Sequence, residues 1–272
     1  MSMIKTAMIQ MSVFKDKLKN IEKAGDYLQK LVDQRIDLAV LPEMFCCPYQ
    51  TNNFPIYAEE EGGTCWQLLS NMAASYNVYL AAGSMPEKDE KGRIFNTAYV
   101  FDRQGHQIAK HRKMHLFDIN VTGGQSFKES ETLTAGDRVT VFDTEFGKMG
   151  ICICYDFRFP ELTRLMVNQG AKVILVPAAF NMTTGPAHWE TMFRQRAVDN
   201  QVFTIGAAPA RDPASAYISW GHSIAVAPWG NVLVQMDEKE GYTVQTLDLA
   251  EVDKVRRELP LLKHRRLDTY TI

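Results

Sequence analysis

Two hydrophobic rhythms alternate along the chain. Residues 1–10 run apolar and polar with period two, as a strand does, whereas over 16–32 the apolar positions Leu18, Ile21, Ala24, Leu28 and Leu31 recur at helical spacing with charges between them. A short apolar run at 38–41 predicts a buried strand, and a second helix is expected from about 65 to 76. Strands follow at 78–82, at a hairpin of 97–101 and 107–110 about the turn Asp102-Arg103-Gln104-Gly105, at 139–142 and at 149–153. A helix led by Pro160 comes next, then a strand at 173–176, a helix at 187–199, strands at 202–207, 223–227, 232–235 and 243–246, and a last helix at 249–259. Helices flanking mixed strand pairs predict an α/β fold in which two sheets pack face to face with helices outside, a four-layer sandwich.

Composition narrows what such a fold can do. With 272 residues and no linker-like stretch, the chain reads as one domain spanning 1–272 with a sizeable core. A net charge of −2, with both signs interspersed, leaves no basic field for nucleic acid or anionic lipid. No apolar stretch approaches membrane-spanning length and the start lacks a basic n-region, so a cytoplasmic protein is expected. Five cysteines without a secretory signal point to reduced thiols.

Candidate chemistry gathers at strand ends. The apolar run Met149-Gly150-Ile151-Cys152-Ile153 stops at Cys154, and Tyr155-Asp156-Phe157-Arg158-Phe159-Pro160-Glu161 begins a helical stretch. A thiol on such a strand-to-helix turn meets backbone N–H groups that favour a thiolate and can donate to an oxyanion. Strand alternation turns Cys152 and Cys154 to the same face, with only Cys154 at the strand end. Glu43 follows Leu41-Pro42 at another strand end, in an apolar loop where desolvation raises a carboxyl group toward neutrality. Lys113 lies in the basic run His111-Arg112-Lys113 after the hairpin. Each residue taken alone is ordinary; together they supply a nucleophile, a base and an oxyanion stabiliser.

These segments resemble the nitrilase, or carbon-nitrogen hydrolase, superfamily, whose signature is an ordered Glu-Lys-Cys set. The likeness covers nearly the whole chain, and a second family glutamate falls on Glu129 in Ser126-Phe127-Lys128-Glu129-Ser130. Within the superfamily the chain is most similar to the omega-amidases, through Phe180 to Glu190, Arg196-Ala197-Val198-Asp199-Asn200-Gln201 and Pro209-Ala210-Arg211-Asp212, with Trp220-Gly221-His222-Ser223 and Pro228-Trp229-Gly230 in support. Thr122-Gly123-Gly124 departs from the Pro-Gly step expected there, in a loop near the site that would govern access.

The resemblance implies an α-β-β-α sandwich, a homodimer or higher homo-oligomer joined through the tail 260–272, and amide hydrolysis through a Cys154 thioester. Glu43 would act as the base, Lys113 and the Tyr155 backbone N–H would meet the oxyanion, and Glu129 would orient Lys113 and the substrate amide. The implied substrates are short dicarboxylic monoamides, 2-oxoglutaramate or 2-oxosuccinamate, with deaminated glutathione, a nitrile or an N-carbamoyl amino acid as alternatives. Tyr49 and Phe180 are expected to wall the pocket, and Thr183 to donate a hydrogen bond in it. No cofactor is implied. His111 and His115 stand at helical i, i+4 spacing, but no third ligand accompanies them, so no metal is expected. A cysteine-based redox or metal-binding protein and a non-catalytic module on the same scaffold are the competing classes. The first lacks a Cys-x-x-Cys turn, and the second would be expected to have lost one of Glu43, Lys113 and Cys154.

Overall fold

The computed structural model describes residues 3–270; Met1 and Ser2 of the expected first strand, and Thr271 and Ile272 of the tail, lie outside the described residues. A seven-stranded sheet is ordered Gly241–Asp248, Met3–Gln10, Leu38–Val40, Tyr79–Ala81, Ile94–Phe101, Met85–Lys88, with Gln107–Arg112 also paired to Ile94–Phe101. Three of these, Met3–Gln10, Leu38–Val40 and Tyr79–Ala81, run parallel. A six-stranded sheet is ordered Val232–Gln235, Ile224–Val226, Phe203–Ala207, Val173–Pro177, Gly147–Ile151, Val141–Thr144, and its parallel centre is Gly147–Ile151, Val173–Pro177 and Phe203–Ala207.

Strand alternation shows how the layers stack. Ile4, Met8, Leu38 and Val40 join the core cluster that holds Ile151, Val173, Ile205 and Ile224 of the other sheet. Their alternates Ala7, Ile9, Ala39 and Leu80 pack instead with Ile21, Ala24 and Leu28 of the helix Lys17–Leu31 and with Cys65 and Leu69 of the helix Thr64–Tyr76. On the far side, the helices Pro160–Asn168 and Gly185–Asn200 cover the six-stranded sheet. Gly206 has a physical reason: a Cβ there would stand 2.4 Å from the Phe193 ring, so only glycine lets the helix Gly185–Asn200 lie this close. The layers are therefore helix, sheet, sheet, helix, as the hydrophobic pattern predicts.

The differences from expectation are local. Asp16 caps the first helix rather than opening it, accepting from the Leu18 and Lys19 N–H groups at 3.0 and 3.3 Å. Leu18 lies half exposed, and Tyr27 takes its place in the buried stripe. Met85–Lys88 and a small ribbon, Asp118–Asn120 with Ser126–Lys128, are strands that the pattern did not predict, because they are too short for periodicity to register. The tail exposes Leu261, Leu267 and Tyr270, and Leu259 just before it is exposed too.

Candidate active site

The candidate residues converge at the ends of the strands. Leu38–Val40 ends shortly before Glu43, whose loop is held by Ser84: its hydroxyl accepts from Met44 N–H at 3.0 Å and its N–H donates to Pro42 O at 3.2 Å. Gly83 makes this possible, with φ +60 and a position where a Cβ would lie 2.1 Å from Pro42 O. Gln107–Arg112 ends immediately before Lys113, whose N–H donates to Asn96 O at 2.8 Å. Glu129 follows the ribbon strand Ser126–Lys128.

Lys113, Glu43 and Glu129 are all fully buried. The ammonium donates to Glu43 Oε1 at 2.9 Å and lies 2.9 Å from Glu129 Oε2 and 3.0 Å from its Oε1. Burial would strip the charge from Lys113, but Glu129 and Glu43 outweigh it and hold its affinity for a proton above the ordinary lysine value. Glu43 is pushed the other way for a carboxyl group: burial, aided by repulsion from Glu129, raises it above its ordinary value despite Lys113. A carboxyl so raised is a stronger base than an ordinary carboxylate, which suits it to general acid–base work.

Cys154 occupies the turn with φ +47, a conformation costly for a residue other than glycine. The expected transition is present with an extra element: a 3-10 turn, Cys154–Arg158, separates the strand from the helix beginning at Pro160. The two sulfurs differ in their polar neighbours. Cys154 feels Glu43, Lys113 and the Ala179 N–H, whereas Cys152, which also feels Cys154, feels Asp156 and Arg196 instead of the base. Burial and the Glu43 charge push the Cys154 thiol well above its ordinary value, so the sulfur rests protonated beside a base. All five cysteines are buried and unlinked.

The remaining predicted residues fall in different places. Tyr49 is in the polar cluster itself: its hydroxyl lies 2.6 Å from Glu129 Oε1 and 3.2 Å from Glu43 Oε1, so its single proton goes to the nearer Glu129. Phe180 is buried edge-on against Trp189 at 5.0 Å, with the Arg158 guanidinium 4.6 Å from its ring. Tyr155 lies in the 3-10 turn, with its ring against Phe117 and Phe159 at 5.1 and 5.5 Å. Thr183 is exposed, its N–H donating to Asn181 Oδ1 at 3.0 Å; a Cβ on Gly124, in the ribbon tip that carries Thr122-Gly123-Gly124, would come within 2.8 Å of its methyl.

Three functional neighbours were not read from the sequence. Asn96 donates to Glu43 Oε1 at 2.9 Å, as the Ala179 N–H does to Oε2 at 2.9 Å. Arg158 makes no ion pair among the described residues; its guanidinium contacts His188 Nδ1 at 3.0 Å and Met192 Sδ at 3.7 Å, and burial lowers its affinity for a proton. Asp156 is fully buried, and its two oxygens accept from His111 Nε2 at 2.9 Å, His115 Nδ1 at 2.8 Å, and the N–H groups of Ile153, Met114 and His115. His111 is in a strand and His115 in the following loop, so the helical spacing that suggested a metal pair is absent. Both imidazoles instead serve one carboxylate.

A protonated thiol beside a raised carboxyl group and a charged lysine is equipment for moving an acyl group from nitrogen to sulfur to water. The model of the carbon-nitrogen hydrolase family matches residues 5–257, and the chain belongs to that family. It is similar to the protein described as omega-amidase NIT2 from Mus musculus, 44% identical over 272 residues that cover 100% of this chain and 98% of the relative. The Homo sapiens protein of the same description is 41% identical, with the same coverage. Among solved structures, Saccharomyces cerevisiae Nit3, described as a member of branch 10 of the nitrilase superfamily, aligns with a TM-score of 0.90 at 40% identity over 97% of both chains. The C. elegans NitFhit protein aligns at 0.91 with 33% identity, over 99% of this chain and 66% of that one. The fold is the nitrilase-type α-β-β-α sandwich, and the chain is an amide-hydrolysing enzyme.

Proposed function

We propose that the enzyme removes the terminal amide of short dicarboxylic monoamides, 2-oxoglutaramate or 2-oxosuccinamate, releasing ammonia and the acid through a Cys154 thioester. The observation that carries the substrate class is Arg158, four residues beyond the thiol on the same turn and next to Phe180, a partly buried guanidinium with no carboxylate partner among the described residues. An unpaired cation withdrawn from water is costly, and a carboxylate on the substrate would repay that cost at a fixed distance from the nucleophile. The descriptions of the relatives as omega-amidases support the same reading.

Glu43 takes the thiol proton as the Cys154 sulfur attacks the amide carbonyl. The oxygen that gains charge is met by the Lys113 ammonium and the Tyr155 N–H, which belongs to the first turn, where N–H groups have no intrahelical partner. Glu43 then returns the proton to nitrogen and ammonia leaves. Water adds to the thioester with Glu43 again as the base, restoring the thiol. Glu129, held by Tyr49 and by the Phe117 N–H at 2.7 Å, keeps Lys113 in place. Two copies are proposed to pair through the exposed apolar tail, a state that sedimentation at several concentrations reads directly.

Ammonia release across 2-oxoglutaramate, 2-oxosuccinamate, deaminated glutathione, glutamine and a simple aliphatic nitrile tests the assignment. The two keto acid monoamides are expected to lead in kcat/KM. Glutamine brings an α-ammonium that must be desolvated, and a nitrile lacks the distal carboxylate. A clear lead for deaminated glutathione would overturn the substrate assignment while leaving the chemistry intact.

A further inference from the structure

Glu43 borders a cavity of about 50 Å³ that neither Cys154 nor Lys113 lines. The exposed Asp212 is at its rim and Ala210 is in its wall, so it runs between the surface and the base. Its polar lining includes Tyr49, Tyr217 and Ser219. Ser219 is only 5% exposed, and its hydroxyl oxygen has no hydrogen-bond partner among the described residues. Buried hydroxyl groups nearly always have one. A water molecule needs roughly 10–15 Å³ of such space and two to four polar partners, and this cavity provides both.

We infer that this cavity holds the hydrolytic water and delivers it to Glu43, a role that rests on the thioester reading of Cys154. Once ammonia has left, the acyl chain stays on Cys154, which does not line this cavity, and on the proposed substrate reading it reaches toward Arg158. Water drawn from the cavity reaches Glu43 without passing that chain. Its oxygen forms the new bond to the acyl carbon as its proton goes to Glu43. Collapse then breaks the carbon–sulfur bond, the sulfur recovers the proton from Glu43, and the acid departs. Ser219 is a positioning residue that orients this water.

The test follows ammonia and acid separately by rapid quench with 2-oxosuccinamate in Ala210→Leu, which fills the cavity, and Ser219→Ala, which removes the hydroxyl. Both variants are expected to release one equivalent of ammonia per site at the wild-type rate and then to slow. Ser219→Ala should lose about tenfold in the second step, the worth of one hydrogen bond. The acyl adduct on Cys154 should accumulate in the mass spectrum, and added hydroxylamine should capture a larger share of it than in the wild type. Ammonia and acid slowed equally, or neither slowed, would overturn the inference. If Ala210→Leu does not fold, Ser219→Ala decides alone. No Cys154 adduct in any quenched sample, the wild type included, would instead overturn the thioester reading itself.

Discussion

Asp156 Oδ2 accepts from His111 Nε2 at 2.9 Å, with both side chains out of contact with solvent. The same carboxylate accepts from Ile153 N–H, just before the thiol, and from Met114 N–H, just after the lysine. Two loops that are distant in sequence are therefore joined through one residue, which fixes Cys154 relative to Lys113. Burial would raise the Asp156 carboxyl, but the donors, His111 and His115 foremost, prevail and hold it well below the usual carboxylate range.

Asp156→Ala should cost about 3–5 kcal/mol, since several buried donors lose their acceptor together. Because the folded-state pKa is depressed, the stabilisation is fully present above the unfolded value of about 3.9 and is lost progressively as pH falls from there through the lower folded-state value. Urea unfolding of the wild type and variant between pH 3 and pH 7, endpoints chosen to be about one unit below and three above that value, checks this. The gap between their curves should narrow toward the acid end without closing, because the folded-state value lies below that range.

Cys154→Ala should abolish turnover, by at least about 10⁴-fold, while leaving the melting curve near that of the wild type. Cys152→Ala should keep most of its activity, since its sulfur neighbours Asp156 and Arg196 rather than the base. Steady-state ammonia release separates the two.

The pH profile of kcat/KM should show an acid limb governed by Glu43. Its carboxyl is raised above the ordinary 4.5 and must be ionised to accept the thiol proton, so activity should rise with pH through a value higher than 4.5. Glu43→Gln should remove turnover along with that limb. A limb at or below the ordinary value in the wild type would assign it to another group.

Arg158→Met should lower kcat/KM for 2-oxosuccinamate by about 10- to 150-fold, the worth of a hydrogen bond to a charged group. The same change should alter hydrolysis of butyramide, which has no carboxylate, less than threefold (a difference of about 0.6 kcal/mol). Equal losses on both substrates would assign Arg158 to packing rather than to recognition.

Residues whose work is local were legible in the sequence. Glu43 and Cys154 each close a short apolar run, and the ordered motifs around them, with Lys113 and Glu129, led to four side chains that meet in the structure. Asn96 and Asp156 were not legible, because they act across the chain: Asn96 bonds a carboxylate 53 positions away, and Asp156 bonds His111 at a separation of 45. A signal for Asp156 did exist, the one acid in the turn that begins at the thiol. Arg158 was hidden for a different reason. What marks it is the absence of a counter-ion, which only three-dimensional neighbours can reveal. Leu18 shows the limit of periodicity: spacing placed it on the stripe, but the cap at Asp16 sets where the helix begins and leaves it half exposed.

The lysine clasped between two carboxylates bears on how the protein survives oxidants. At the sulfur, burial and the Glu43 charge outweigh the Lys113 ammonium, which makes an anion there unwelcome until a carbonyl arrives to draw on Lys113. Peroxides and alkylating reagents attack thiolates, so an idle molecule should outlast an exposure that inactivates enzymes with a standing thiolate, and it becomes vulnerable only while it is working.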